Sequence, residues 1–175
     1  MTKTNDNATR TGKEFLGQVV TTVYTGKTTY YVLAPPNAGT YMTVLDTAIT
    51  PTATNSKIRV ELNISGEFHW DMIFRVSRSI DGGAETEVVR NDDANTWSGW
   101  GLVPYDNNNS STGFTNHYIC FDSPNTTSTV EYHFMIQSAS VASRNIYINR
   151  TQNSAGQAGY ENAVSQAILT EILVV

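Results

Sequence analysis

A chain of 175 residues is long enough for one globular domain and too short for two substantial ones. Its net charge of −5 and its isoelectric point of about 5.1 argue against a nucleic-acid-binding protein of the basic, phosphate-neutralising kind. Only 15% of the residues are charged, whereas Thr, Asn and Ser together supply 54 of the 175, a composition that argues against an all-helical protein.

The N-terminal segment, residues 1–14, is small and polar, and we expect it to form an arm that is flexible until a partner orders it. It lacks the apolar core of a signal peptide, and no run in the chain approaches the roughly 18 apolar residues of a membrane span. The single cysteine, Cys120, excludes an internal disulfide framework. We therefore expect a chain that folds in a reducing cytoplasm and does not insert into a membrane.

Short strand patterns separated by turn signals fill the rest of the chain, so we expect residues 15–175 to form a single domain. In 57–64 every second residue is apolar, which is typical of a strand with one buried face. In 68–76 the same alternation places Trp70 and Phe74 on one face.

Ten strands are predicted at near-regular spacing, with no long amphipathic helix between them. In chain order they are 16–24, 29–33, 40–49, 57–64, 68–76, 85–90, 114–121, 129–137, 145–149 and 167–175. This pattern predicts an all-β fold, an antiparallel β-sandwich. The two long interruptions, 91–113 and 151–166, are of the length that usually serves function or lies against a partner.

The last predicted strand carries apolar residues on both faces at the end of the chain, where fraying would be expected. Two interpretations are open. The strand is central and buried between two sheets, or it is buried on one face by the core and on the other by a neighbouring subunit. The run 118–121 has the same two-faced character. We favour an oligomer.

Residues that commonly perform chemistry are present but scattered. The three histidines, His69, His117 and His133, fall inside predicted strands, and only His69 has a carboxylate, Asp71, at a ligand-like spacing. Cys120 lies in an apolar strand, which is typical of a buried, inert thiol. Nucleophile and phosphate-binding motifs are absent. We expect no enzyme activity, no catalytic residue, no metal and no cofactor.

The long interruption contains an aromatic group, Trp97, Trp100 and Tyr105, within a polar loop. Such side chains provide large contact area at low entropic cost, so they are candidates for binding a receptor glycan by stacking on sugar rings. The alternative, given about equal weight, is that they plug the end of the sandwich or a groove between subunits.

Several segments, in fixed order, resemble a group of small β-rich virion surface proteins of tailed bacteriophages. They are Phe15-Leu-Gly-Gln-Val-Val-Thr-Thr22, Ile49-Thr-Pro-Thr-Ala-Thr-Asn-Ser-Lys-Ile58, Phe74-Arg-Val-Ser-Arg78, Phe121-Asp-Ser-Pro124, Tyr147-Ile-Asn-Arg150 and Leu169-Thr-Glu-Ile172. The resemblance spans almost the whole chain from Phe15 onward. This chain departs from the group in having Cys120 before Phe121 and Asp122, and in its larger tryptophan-containing insertion.

The resemblance implies a jelly-roll-like sandwich that forms homotrimers, with no enzyme activity and no catalytic residue. With the two-faced terminal strand, it places the trimer interface at Ile168, Leu169, Ile172, Leu173, Val174 and Val175. The N-terminal arm carries Lys3, Arg10 and Lys13 among small polar residues, which suits docking onto an acidic capsid or tail surface.

The function expected is that of a structural protein on the surface of a bacteriophage particle: a capsid decoration, head spike or head fibre, assembled in the host cytoplasm. A methionine followed by a short arm favours this expectation over a fibre tip. The alternative is a tail-fibre or tail-tip module that recognises a host-surface glycan. A glycan depolymerase ranks third. The expected partners are copies of the chain and other virion proteins, without nucleic acid.

Overall fold

The computed structural model describes residues 14–34, 39–68, 70–89, 99–105, 111–138, 142–154 and 161–174. The predicted N-terminal arm lies outside the described residues, except for Glu14, which begins the first strand. The candidate residues His69, Trp97 and Val175 lie outside them as well.

Strands dominate the described residues. They are β1 (Glu14–Tyr24), β2 (Thr28–Val32), β3 (Thr40–Tyr41), β4 (Thr47–Ile49), β5 (Lys57–Glu67), β6 (Met72–Ile80), β7 (Thr86–Glu87), β8 (Gly101–Leu102), β9 (Phe114–Asp122), β10 (Val130–Ser138), β11 (Arg144–Ile148) and β12 (Ser165–Val174). Two short 3-10 helices span Thr43–Leu45 and Gln152–Ser154. None of the helices in the described ranges is long and apolar enough to cross a membrane.

The strands form two antiparallel sheets. In the first sheet β1 pairs with β12, and β12 pairs with β5. The other edge of β5 pairs with β9. The C-terminal end of β5 also pairs with β11, which in turn pairs with β2. In the second sheet β10 and β6 form the centre, β3 and β4 lie along the outer edge of β10, and β7 and β8 lie along the outer edge of β6.

The order of the strands is that of a jelly roll. If β2 and β11 are set aside, and β3 with β4, and β7 with β8, are each counted as one strand, eight strands in chain order form sheets of order 1-8-3-6 and 2-7-4-5. The antiparallel pair β2 and β11 extends the first sheet. The predicted all-β, jelly-roll-like sandwich is therefore confirmed.

Alternation along the strands explains why the two sheets pack together. In β5 the residues Ile58, Val60, Leu62 and Ile64 are fully buried, and the intervening residues are not. They meet Phe74, Val76, Tyr132, Phe134 and Ile136 of the second sheet in one continuous core. At about 1.5 to 3 kcal/mol for each large apolar side chain, burial on this face is the main force that holds the sheets together.

Two sequence-based expectations are corrected by the backbone. The predicted strand 40–49 is two short strands, β3 and β4, separated by a 3-10 helix. The predicted strand 68–76 begins only at Met72, because Trp70 has a φ of +59°, which lies outside the extended conformation of a strand. The side chain of Trp70 therefore does not share the buried face of Phe74.

Candidate functional site

Trp100 of the predicted aromatic group packs against the core. Its ring lies 5.5 Å from that of Tyr118 and stacks at 6.2 Å on Phe134. Its indole N–H donates to the carbonyl of Ile119 at 3.2 Å, and its backbone N–H donates to the carbonyl of Phe74 at 2.7 Å. These contacts join the two sheets and favour the interpretation of Trp100 as a plug.

The glycines on either side of Trp100 allow this close packing. A Cβ at Gly101 would lie 1.9 Å from a ring carbon of Tyr118, and one at Gly99 would lie 2.6 Å from the carbonyl oxygen of Phe74. Neither position has room for a side chain. The chain therefore passes tightly over β6 at this point.

Tyr105 differs from Trp100, since its side chain is 61% exposed. Its ring makes an edge contact at 6.0 Å with Trp70, and the guanidinium of Arg144 lies 4.7 Å above the ring of Trp70. Trp70 was assigned to a strand face by its spacing, and only its left-handed backbone brings it to this surface. Tyr105, Trp70 and Arg144 are an aromatic and cationic surface group that the sequence pattern did not reveal.

The arginine and aspartate of two of the resemblance motifs meet inside the sandwich. Arg78 of β6 pairs with one carboxylate oxygen of Asp122 in β9, and Tyr132 of β10 donates to the other at 2.8 Å. Burial and the Asp122 carboxylate raise the pKa of Tyr132, so its hydroxyl remains a donor. The same causes raise the pKa of Cys120 to about 12, which makes its thiol inert.

Two other motifs are joined by the fully buried carboxylate of Glu171 in β12. One of its oxygens accepts from the backbone N–H of Thr52 at 2.6 Å, from the Thr52 hydroxyl at 2.9 Å and from Ser56 at 2.7 Å, and the other accepts from Gln18 at 3.2 Å. Burial opposes ionisation, but these hydrogen bonds outweigh it and lower the pKa of Glu171. The carboxylate anchors the 50–56 loop to the last strand.

Asn149 performs a similar structural role at the other end of the first sheet. Its amide donates to the carbonyls of Tyr24 at 2.7 Å and Gly26 at 2.8 Å, and its side-chain oxygen accepts from Ser165 at 2.6 Å. The backbone of Asn149 is left-handed, with a φ of +62°. The motif residues Arg78, Asp122, Glu171 and Asn149 therefore stabilise the fold and are not arranged around a reaction centre.

A second polar group lies on the outer face of the second sheet. His133 contacts Asp46 through Nδ1 at 3.2 Å and Ser79 through Nε2 at 3.2 Å, and Glu131 is 4.0 Å from Nε2. Burial raises the pKa of Asp46, against the opposing effect of the His133 hydrogen bond. Sequence reasoning missed this group because its members are 54 and 87 residues apart in the chain.

This group has the residue types of a metal site and of a hydrolase triad. Ligand atoms of Asp46, Glu131 and His133 lie within 4.8 Å of one another. However, both imidazole nitrogens already have partners within the group. Ser79 is only 5% exposed in the middle of a strand, so a substrate does not reach its hydroxyl. The hydrogen bonds within the group are sufficient to explain why these polar side chains lie together on the outer face of the sheet.

A groove of about 370 Å³ lies at one end of the first sheet. It is lined by Ser65, Gly66, Ser111, Gly113, Phe114, Thr115, Asn149, Arg150, Thr151, Glu161, Asn162 and Ala163. The lining is mainly hydroxyl, amide and backbone groups, with one aromatic ring, one cation and one carboxylate. None of these residues was a candidate in the sequence, because the groove brings together the ends of four separate chain segments.

The residues predicted for the subunit interface divide between the core and the surface. Leu169 is fully buried between the sheets of one chain, so its assignment to an interface is wrong. Ile168, Ile172, Leu173 and Val174 are partly exposed. The apolar residues of the last strand therefore lie in two environments. One face of the strand packs in the core, and the other face is directed away from the core.

An apolar row continues this outward face onto β1, the edge strand beside β12. Leu16 is 76% exposed, Val19 57% and Val23 54%. Leu16 lies opposite Ile172 in the strand register, and Ile168 lies opposite Thr21 between the two valines. We call Leu16, Val19, Val23, Ile168 and Ile172 the outer apolar row.

No model of a known protein family matches the chain, and no curated protein matches it. Three of the solved structures that match the chain are of infectious bursal disease virus. The match to the virus of the Gx strain has a TM-score of 0.41 at 12% identity and covers 93% of this chain and 39% of the other. The match to the VP2 subviral particle has a TM-score of 0.42 at 8% identity and covers 93% of this chain and 41% of the other. The match to the T=1 particles has a TM-score of 0.41 at 12% identity and covers 89% of this chain and 39% of the other. The chain spans about two fifths of these longer chains.

Proposed function

We propose that the protein is a structural component on the surface of a virus particle, and that the particle is a tailed bacteriophage whose head or tail it decorates as a homotrimer. The observation that carries the proposal is the way the resemblance motifs are used. Arg78 with Asp122, and Glu171 with Thr52, connect the sheets and loops of a jelly roll. The residues that carry the resemblance therefore make contacts that hold the fold together, as we expect if this chain shares its architecture with the phage proteins it resembles.

The outer apolar row supports association between copies of the chain. Three of its side chains are more than half exposed on an edge strand, where an isolated domain gains nothing from them. Burying them against a second copy would remove apolar surface from water and cover the free edge of β1. A symmetric assembly of this kind suits a protein that must remain attached at high dilution.

Two measurements test the proposal. Mass spectrometry and antibody labelling of purified particles should detect the protein on the virion, at tens to hundreds of copies for a head decoration and few for a tail component. Light scattering of the purified protein should give about three times 19.3 kDa. A folded monomer at micromolar concentration contradicts the trimer, and absence from purified particles contradicts the virion role.

A matched pair of variants locates the contact. Val19→Lys combined with Val23→Lys places charges in the outer apolar row and should dissociate the assembly. Ala84→Lys combined with Thr86→Lys introduces the same two charges at exposed positions in and beside β7, in the other sheet, and should leave the mass unchanged. Equal behaviour of the two variants would exclude the row as the interface.

A second candidate function is a receptor-binding module at a tail tip. The exposed Tyr105 beside Trp70 and Arg144 favours it, because a partly open aromatic pair with a fixed cation can stack on a sugar ring. The test is binding of the Tyr105→Ala protein to host cells.

A further inference from the structure

We propose that the groove at the end of the first sheet binds a neutral saccharide of one or two sugar residues. The inference goes beyond the proposed function, since a particle-surface protein can assemble without a ligand. It is also separate from the aromatic group at Tyr105, which does not line the groove.

The size of the groove suits a small ligand. Its volume of about 370 Å³ falls in the range of roughly 300 to 1,000 Å³ that is typical of small-molecule sites. The walls come from strand ends and from segments fixed by hydrogen bonds. Asn149 is held by hydrogen bonds to Tyr24, Gly26 and Ser165, and Arg150 forms an antiparallel backbone bridge with Asn162, another lining residue. A preformed site of this kind avoids the entropic cost of ordering on binding.

Arg150 is oriented before any ligand binds. One of its terminal nitrogens donates to the carbonyls of Thr151 at 3.1 Å and Gln152 at 3.2 Å, and the other donates to the hydroxyl of Thr29 at 2.8 Å. The guanidinium also lies 4.6 Å above the ring of Tyr147. Of its five N–H groups, two have no acceptor among the described residues.

Hydroxyl groups add donors and acceptors that match those of a sugar. Ser65 and Thr115 share one hydrogen bond of 2.9 Å, so the hydroxyl that accepts it keeps its own proton to donate. Ser111 lines the groove beside them, and Phe114 contributes an apolar surface. A sugar ring presents hydroxyls at its edge and C–H groups on its face, and this lining offers a partner for each.

Charge distinguishes a neutral sugar from other small polar ligands. Among the described residues, the lining contains one cation, Arg150, and one carboxylate, Glu161, whose formal charges cancel. A phosphate or a nucleotide would require an excess of positive charge, and a lipid would require an apolar lining. A neutral, hydroxyl-rich ligand requires neither an excess of positive charge nor an apolar lining.

The test is saturation-transfer NMR on the full chain with six neutral sugars at millimolar concentration: glucose, galactose, mannose, rhamnose, N-acetylglucosamine and N-acetylgalactosamine. At least one should receive saturation. Gly113→Leu should reduce its affinity at least tenfold, because Gly113 lines the groove and a Cβ there meets only ordinary contacts, a methyl carbon of Thr151 at 3.4 Å and the Gly66 carbonyl oxygen at 4.0 Å, so the added side chain is expected to take up groove volume. Thr127→Leu, at an exposed position away from the groove, should bind like the unmodified protein.

Glu161→Gln keeps the proposal testable if Gly113→Leu does not fold. Glu161 is exposed, so its replacement preserves the structure, and exchange of the charged carboxylate for a weaker amide acceptor should weaken sugar binding at least threefold. Glucuronic acid, the charged comparison, should bind no more tightly than glucose. Absence of saturation transfer to all six sugars, unchanged binding in both groove variants, or a clear preference for glucuronic acid would overturn the proposal.

Discussion

Arg78 of β6 and Asp122 of β9 form an ion pair that connects the two sheets of the sandwich, and Tyr132 completes it by donating to the second carboxylate oxygen at 2.8 Å. The carboxylate side chain is 7% exposed and the arginine side chain 18%. A pair so shielded from water adds little relative to an apolar contact, but removing one partner leaves a buried charge uncompensated. Each of the two charges is therefore tolerated in the interior only while the other is present.

Asp122→Asn should therefore destabilise the protein by about 3 to 5 kcal/mol, because Arg78 would lose its counter-charge inside the sandwich. Urea denaturation followed by tryptophan fluorescence measures the loss. Lys57→Met is the control, since it removes an exposed ion pair with Glu14 at 3.3 Å and should cost less than about 1 kcal/mol. A cost for Asp122→Asn as small as that of the control would refute the role of the buried pair.

Glu171 makes stability depend on acid pH. Hydrogen bonds lower its pKa in the folded protein below the ordinary value of 4.5, so the unfolded chain binds the proton more readily. The resulting stabilisation is fully present above that ordinary pKa and is lost as the pH falls through the lower, folded value. Glu171→Gln should cost about 2 kcal/mol or more at pH 7 and should flatten the decline in stability below pH of about 4.5.

Denaturation midpoints measured at a series of pH values from 3 to 7 test this expectation. Glu14→Gln removes an exposed carboxylate at the start of β1 and should keep the acid-dependent decline. Parallel pH profiles for the original protein and the Glu171→Gln variant would show that Glu171 does not cause it.

Cys120 should be almost unreactive in the folded protein. Its pKa of about 12 compares with an ordinary value of 9.0, so the thiolate fraction near pH 8 is lower by about three powers of ten. Alkylation by iodoacetamide at pH 8, followed by mass spectrometry, should be at least about 1,000 times slower than in denaturant. Comparable rates in the two conditions would show that the thiol is open to solvent.

Trp100 and Tyr105 should give opposite responses to truncation. Trp100→Ala removes a ring that packs on Tyr118 and Phe134, and it should cost about 3 kcal/mol of stability. Tyr105→Ala removes an exposed ring and should cost less than about 1 kcal/mol. Thermal denaturation and a host-cell binding assay, performed on both variants, separate the two roles. If Tyr105→Ala binds cells normally, the receptor-binding candidate for this aromatic group is rejected.

Local periodicity was sufficient for most of the strands, because the alternation of side chains between two faces is a property of neighbouring residues. The buried face of β5 agrees with the sequence pattern, and β7 falls within the predicted strand 85–90. Trp70 shows the limit of this reasoning. Its spacing matched a strand face, but its backbone has a φ of +59°, which no regular strand adopts, and its side chain lies beside Tyr105 and Arg144.

The polar group around His133 and the groove depend on contacts that no local pattern contains. Asp46, Ser79 and His133 meet only because β6, β10 and the segment before β4 lie side by side, and the groove forms where four distant segments end together. The sequence by itself determined the strands, their inward faces and the low surface charge, since each follows from nearest-neighbour composition. The tertiary structure decided which polar groups stabilise the fold and which line a groove, because jelly-roll pairing joins residues that lie far apart in the chain.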